Sequence, residues 1–126
     1  MNEGVEQVIK EWIQRAMDDL ESAELVLNES DNYEISAYHS HQAIEKMIKA
    51  ELIRQGETFR FIHDINALFT QLFKGTMDQE LFDEISFVNS LYPRLRYPTG
   101  EYVQKDQADK CLKIAKKVKD KLKISL

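Results

Sequence analysis

Val5, Val8, Trp12, Ala16, Leu20, Ala23 and Leu27 step along the chain by threes and fours. That spacing places them in one stripe on an α-helix and scatters them over both faces of a strand. Glu6, Asp18, Glu21 and Glu24 fall opposite the stripe, where water solvates them. The same period returns in four further segments, and the spacing predicts an all-α, up-and-down bundle of about five helices forming one domain over residues 1–126. With only 4 Gly and 2 Pro, the chain lacks the turn residues that a sandwich or barrel of short strands requires.

The boundaries follow from local chemistry. Residues 28–32, Asn-Glu-Ser-Asp-Asn, break the first helix with cap-forming side chains. A second helix carries Ala37, Ile44, Met47 or Ile48, and Leu52, and stops before Gly56. Residues 57–62 read as a loop, and a short third helix holds Ile65, Leu68, Phe69 and Leu72 and ends at Gly75. Thr76 and Gln79 have the spacing of a capping box for a fourth helix through Leu81, Phe82, Ile85, Val88 and Tyr92. Pro93 and Pro98 bracket Arg94-Leu95-Arg96-Tyr97, which reads as a stiff, non-helical bend. A last helix takes Ala108, Cys111 or Leu112, Ala115, Val118 and Leu122.

Charge and cysteine content narrow the function classes. The formal net charge of −5 argues against a generic, non-specific nucleic-acid binder. It is unevenly spread: residues 1–34 hold 10 acidic and 2 basic side chains, whereas residues 35–126 hold 12 acidic and 15 basic. The acidic first and basic last helices are expected to be neighbours in the bundle, with a partner-binding basic face as the alternative. A small positive site away from the first helix therefore stays open. One cysteine, Cys111, forms no intrachain disulfide and no zinc ligand set, which fits a reducing compartment. Met1 to Glu6 lacks a basic n-region and an apolar h-region, and no apolar run is long enough for a membrane span, so the expected location is cytoplasmic, with no membrane contact.

Several site chemistries are excluded by inspection. A di-iron bundle needs Glu-x-x-His on two helices, but Ser36, Tyr38 and Arg60 stand three residues before His39, His41 and His63. No phosphate-binding Gly-rich loop or nucleophile elbow occurs, and neither a metal nor a cofactor is expected. What remains is a polar band on the second helix: His41, Glu45 and Lys49 at i, i+4 spacing, with Gln42, Lys46 and Lys49 as the adjoining row. It is either a binding surface or a solvated helix face in which Glu45 and Lys49 form an exposed pair. His63, before Asp64 at the start of the third helix, is expected to be neutral beside the helix dipole, and it either serves a site or packs the helix start. Arg94 and Arg96 suit bidentate phosphate binding with the Tyr97 ring stacking on a base; equally, Arg96 can fix the bend by pairing with an internal carboxylate.

Trp12, Ala16, Asp19-Leu20 and Ala23, then Gln42-Ala43-Ile44-Glu45-Lys46 with Lys49-Ala50, then His63-Asp64, Arg96-Tyr97-Pro98, and finally Ala108 and Ala115 together resemble a HEPN domain. The similarity runs over about residues 8 to 122, and the ordered set is more specific than any single element. The resemblance implies a five-helix bundle that pairs as a homodimer, frequently beside a minimal nucleotidyltransferase in toxin–antitoxin or defence systems, and that binds nucleotide or RNA. Many HEPN proteins are metal-independent ribonucleases with Arg-x4-6-His near the dimer cleft. This sequence departs from that motif: Arg54 precedes His63 by eight intervening residues and Arg60 by two, and no histidine follows Arg94 or Arg96.

Three readings follow. In the first, a binding module uses Gln42, Glu45, Lys46 and Lys49 with His63, Arg96 and Tyr97. In the second, a ribonuclease uses His63 as general acid or base and Arg94 or Arg96 on the phosphorane charge. In the third, the bundle only dimerises, through aromatics such as Trp12, Phe82, Phe87 and Tyr92.

Overall fold

A computed structural model describes residues 3–59, 62–96 and 101–124, and for Arg94 and Arg96 the backbone only. Among them stand five helices and no strand: α1 (Glu3–Glu29), α2 (Tyr33–Arg54), α3 (Ile65–Leu72), α4 (Gln79–Arg96) and α5 (Lys105–Lys121). Among the described residues no helix is long and apolar enough to cross a membrane. Tyr97, the sequence-predicted stacking ring, lies outside the described residues.

Helix α2 is the axle of the bundle and packs against α1, α3, α4 and α5. Its sequence permits this because small residues line the close approaches. Ala16 and Ala23 on α1, Ala43 and Ala50 on α2, and Ala108 and Ala115 on α5 are all fully buried or nearly so. Each pair is seven residues apart, two helical turns, which keeps one seam in register between helices crossing at a shallow angle. Ser36 continues the seam, its Oγ donating to the Ala23 carbonyl at 2.8 Å. Ile44, Met47, Ile48, Leu52, Ile65, Leu68, Phe69, Ile85 and Ile114 fill the core between these seams.

Three local expectations need correction, and a fourth, that α1 and α5 are neighbours, holds with an addition. The α1 stripe enters the core through Ile9 and Ile13, not Val8, which is exposed; Trp12 is half-buried. The helix rotates by about 100° per residue, so Ile9 and Ile13 share the face of Ala16 and Leu20 better than Val8 does. Asp78, not Thr76, caps α4: its Oδ1 accepts from Leu81 N–H at 3.1 Å, and that bond holds its carboxyl below the usual range. Residues 94–96 are not a bend but the last turn of α4, so Pro93 sits inside the helix and removes one backbone bond without ending it. Lastly, α5 does meet acidic α1, through Lys116 Nζ–Glu24 at 3.0 Å, but it is shared with α4, through Lys117 Nζ–Glu84 at 2.7 Å. These pairs are exposed and weakly stabilising; they neutralise much of the basic face that the sequence displays.

The packing predicts an asymmetry between two apolar positions. Ala43→Leu, in the closed seam of α2, should destabilise by about 1–3 kcal/mol through overpacking. Leu25→Ser, on the solvent side of α1 at 54% exposure, should stay within about 0.5 kcal/mol of wild type in urea unfolding.

Candidate functional site

The polar band of α2 is not a solvated face. Glu45 and Lys49 are each 4% exposed, and their i, i+4 pair, at 3.0 Å, is a buried ion pair. The sequence reads an exposed pair because spacing alone does not reveal that α2 is enclosed on nearly every side. Glu45 uses both carboxylate oxygens: Oε2 accepts from Lys49 Nζ, and Oε1 lies 3.0 Å from His63 Nδ1. Lys49 is further cradled by aromatic rings, with Nζ 5.7 Å from the Trp12 centroid and 5.4 Å from that of Phe59. Desolvating an ammonium is costly, and a carboxylate plus two ring faces offset that cost.

His63 is half exposed, its side chain at 48%. An ionised carboxylate accepts and does not donate, so in neutral His63 the proton sits on Nδ1. Nε2 is then the lone-pair nitrogen, directed away from Glu45. A carboxylate behind an imidazole thus fixes both its tautomer and its orientation.

The wall beside His63 is a stack of three rings. His41 lies 4.2 Å from Tyr92 with 25° between planes, and Tyr92 lies 5.4 Å from His63 with 27° between planes. His41 is fully buried, and burial pushes its pKa from 6.5 down to about 4, against the opposing pull of Glu45. Neither ring nitrogen has a partner at hydrogen-bonding geometry, though the Asn89 amide and the His63 backbone lie close enough to favour the charged form slightly. Asn89 ties α4 to the entry of α3: its Nδ2 donates to Asp64 Oδ1 at 3.0 Å and its Oδ1 accepts from Ile65 N–H at 3.4 Å. Asp64 itself caps α3, accepting from Ala67 N–H at 3.1 Å. Cap and clamp together hold the residue before them, His63, against Glu45.

The candidate residues of α2 therefore divide. Glu45 and Lys49 join His63. Lys46 turns to α1, where Nζ donates to Asp19 Oδ2 at 2.6 Å while Asp19 Oδ1 meets His39 Nδ1 at 2.9 Å. Gln42 is buried between, its Nε2 without a hydrogen-bond partner. Arg94 and Arg96 follow Tyr92 on the final turn of α4; their side chains and Tyr97 lie outside the described residues. Sequence reasoning missed Asn89 and the part Tyr92 plays. The available signal was a polar Asn89 beside Val88 and one turn before Pro93 on an otherwise apolar helix face.

The structure is thus a helical bundle whose central helix holds Glu45 against His63 from the segment before α3. The HEPN domain model matches residues 9–125, and the chain belongs to the HEPN family. It is 33% identical to "Putative toxin MJ1304" of Methanocaldococcus jannaschii, over 90% of this chain and 85% of that protein. The crystal structure of ST0689, an archaeal HEPN homologue, superposes with a TM-score of 0.74 at 28% identity, covering 91% of this chain and 94% of that one.

Two outcomes follow from the buried groups. Between pH 6.5 and about 4 the unfolded chain protonates His41 while the folded chain does not. Stability present above pH 6.5 is thus lost as pH falls toward 4, by roughly 3 kcal/mol for this group. His41→Phe should flatten that part of the stability–pH curve in thermal or urea unfolding. Second, Glu45→Ala should cost roughly 3–5 kcal/mol by stranding Lys49, whereas Glu45→Leu combined with Lys49→Met should recover most of it.

Proposed function

We propose that the protein is a HEPN module of toxin–antitoxin type that works as a homodimer in the cytoplasm. It binds RNA or nucleotide where the middle of α2, the entry of α3 and the last turn of α4 converge. A minimal nucleotidyltransferase is its expected protein partner. The observation that carries this reading is the Glu45–His63 pair backed by Lys49: an imidazole held in one orientation, half exposed, beside a helix end that supplies Arg94 and Arg96. The similarity to a protein described as a toxin supports the same context. Cys111 is no competitor for a chemical role, since burial pushes its thiol up to about 12.

One observation favours a second reading, a metal-independent ribonuclease. With Nδ1 engaged by Glu45, His63 Nε2 is free to take the proton from a ribose 2′-OH. The 2′-oxygen then attacks phosphorus to form a 2′,3′-cyclic phosphate, the 5′-oxygen leaves as a hydroxyl after taking a proton from water, and an arginine stabilises the phosphorane charge. The dimerisation-only reading has less support: Trp12, Phe82 and Phe87 pack in part against the core, and Tyr92 is engaged in the ring stack.

Titration with ATP, GTP and short single-stranded RNAs, together with co-purification, tests the first reading. Binding should fall about tenfold or more in His63→Ala and in Arg96→Ala. RNA cleavage in EDTA that both substitutions abolish would move the assignment to the ribonuclease. Absence of binding, cleavage and partner would remove both.

A further inference from the structure

The three histidines of the chain stand in three environments. His41 is fully buried, with neither ring nitrogen at hydrogen-bonding geometry to a partner. His39 and His63 each set Nδ1 against a carboxylate that also holds a lysine. For His39 these are Asp19 at 2.9 Å and Lys46 at 2.6 Å from it; for His63 they are Glu45 and Lys49, both contacts at 3.0 Å. The two pairs differ in reach. The His39 side chain is 29% exposed, meets the edge of the Tyr38 ring and lies against acidic α1. That of His63 is 48% exposed and stands outside the helices. Of the lone-pair nitrogens fixed in this way, His63 Nε2 belongs to the more open ring. It has no companions for a metal: among the described residues no group of three His, Cys, Asp or Glu side chains could hold an ion. Other nucleophiles are closed off, Cys111 by burial that pushes its thiol up to about 12 and Lys49 by its enclosure with Glu45.

We infer that His63 Nε2 is a phosphoryl acceptor, taking its phosphoryl group from a donor of the phosphoramidate or acyl phosphate class. The step balances without a proton transfer to the protein. The Nε2 lone pair attacks phosphorus and an N–P bond forms. The bond from phosphorus to the donor breaks, and its electron pair leaves on ammonia from phosphoramidate, whose amine is already protonated, or on a carboxylate from an acyl phosphate. Nδ1 keeps its hydrogen throughout, so the ring becomes a phosphoimidazolium. Positive charge therefore develops on the ring during attack, 3.0 Å from the Glu45 carboxylate, and an opposite charge already in place stabilises it. Lys49 serves the same step from behind: by neutralising Glu45 it lets a carboxylate stand there without repelling an anionic donor. Attack at Nδ1, the other position at which an imidazole is phosphorylated, is closed by Glu45. Phosphoryl donors suit the site better than acyl donors, because an acyl imidazole is lost quickly to water whereas the N–P bond lasts at neutral pH and breaks in acid. This role rests on the Glu45–His63 geometry of the site proposed above and not on that site's ligand. It adds a control to the site: the phosphoryl group occupies the nitrogen that otherwise meets RNA or nucleotide, and it brings negative charge there.

The test treats the full chain, isotope-labelled in its histidine rings, with phosphoramidate at neutral pH, and reads the product by intact mass and by NMR of the ring nitrogens. One acid-labile phosphoryl group is expected, at His63 Nε2, formed about tenfold or more faster than on N-acetylhistidine. His63→Ala should remove it and His39→Ala should leave it. Glu45→Gln combined with Lys49→Met takes out both charges together and keeps an acceptor for the Nδ1 hydrogen. That pair should slow labelling about tenfold while circular dichroism reports an intact bundle. The position of the label in wild type stands apart from any variant: in urea it should spread over all three histidines and both ring nitrogens. Transfer from acetyl phosphate as well identifies acyl phosphates as donors, and transfer from phosphoramidate alone identifies an N–P donor. Either result upholds the acceptor. Label shared between His39 and His63 in proportion to their exposure, label at Nδ1, or a rate no greater than that of N-acetylhistidine overturns it. Titration of the labelled and unlabelled chains with short RNA separates this role from the binding reading. A chain that is labelled but binds no RNA keeps the acceptor and removes the binding site, whereas RNA binding without labelling does the reverse.

Discussion

A carboxylate enclosed in a helical bundle must be matched on both oxygens, and Glu45 meets that demand with Lys49 on its own helix and His63 from outside it. The first partner neutralises the charge and the second consumes the remaining acceptor. Everything around them serves this arrangement: the ring faces of Trp12 and Phe59 over the ammonium, the Asp64 cap and the Asn89 clamp that deliver His63, and Tyr92 wedged between two imidazoles. Stability is not the reason to keep such a group. A buried ion pair does little better than an apolar pair of equal volume. What it gives here is a half-exposed imidazole with its tautomer and direction already decided.

The architecture was legible because helical periodicity is a property of the chain itself. Ala37, Ile44, Leu52, Ile65, Leu68 and Phe69 are core residues as their spacing predicts, and Gly56 ends α2 with φ +76°, a conformation for which glycine is suited. The errors arose where tertiary packing decides. Spacing places Glu45 and Lys49 on one face but says nothing of how many neighbours cover that face, so a buried pair reads as an exposed one. Two prolines around Arg94 to Tyr97 argue for a bend, yet α4 tolerates Pro93 and continues to Arg96. His63 was identified as a candidate, but its pairing with Glu45 spans 18 residues and depends on a clamp from α4. The division of the α2 cations, Lys49 inward and Lys46 toward α1, follows from the placement of Asp19, which nothing local announces.

Charge shows the same dependence on packing. The lysines of α5 suggest a basic surface when counted along the chain. In the fold Lys116 is answered by Glu24 of α1, Lys117 by Glu84 of α4 and Lys121 by the α4 cap Asp78, and Lys110 lies over the Phe87 ring at 4.1 Å. Counting lysines along α5 therefore overstates the basic surface that the fold leaves open.

The two halves of the Glu45–His63 pair belong to parts of the molecule that open at different rates. Glu45 stands mid-way along α2, the helix joined to α1 by a turn of a few residues and covered by every other helix. Such a hairpin forms early through contacts short in sequence, and its amides are among the last to exchange with solvent. His63 lies outside the helices, ahead of the eight-residue α3, where local opening costs far less than global unfolding. The carboxylate is therefore the fixed half of the pair, and a local opening that freed His63 from Glu45 and from the Asn89–Asp64 clamp would cost less than unfolding the bundle.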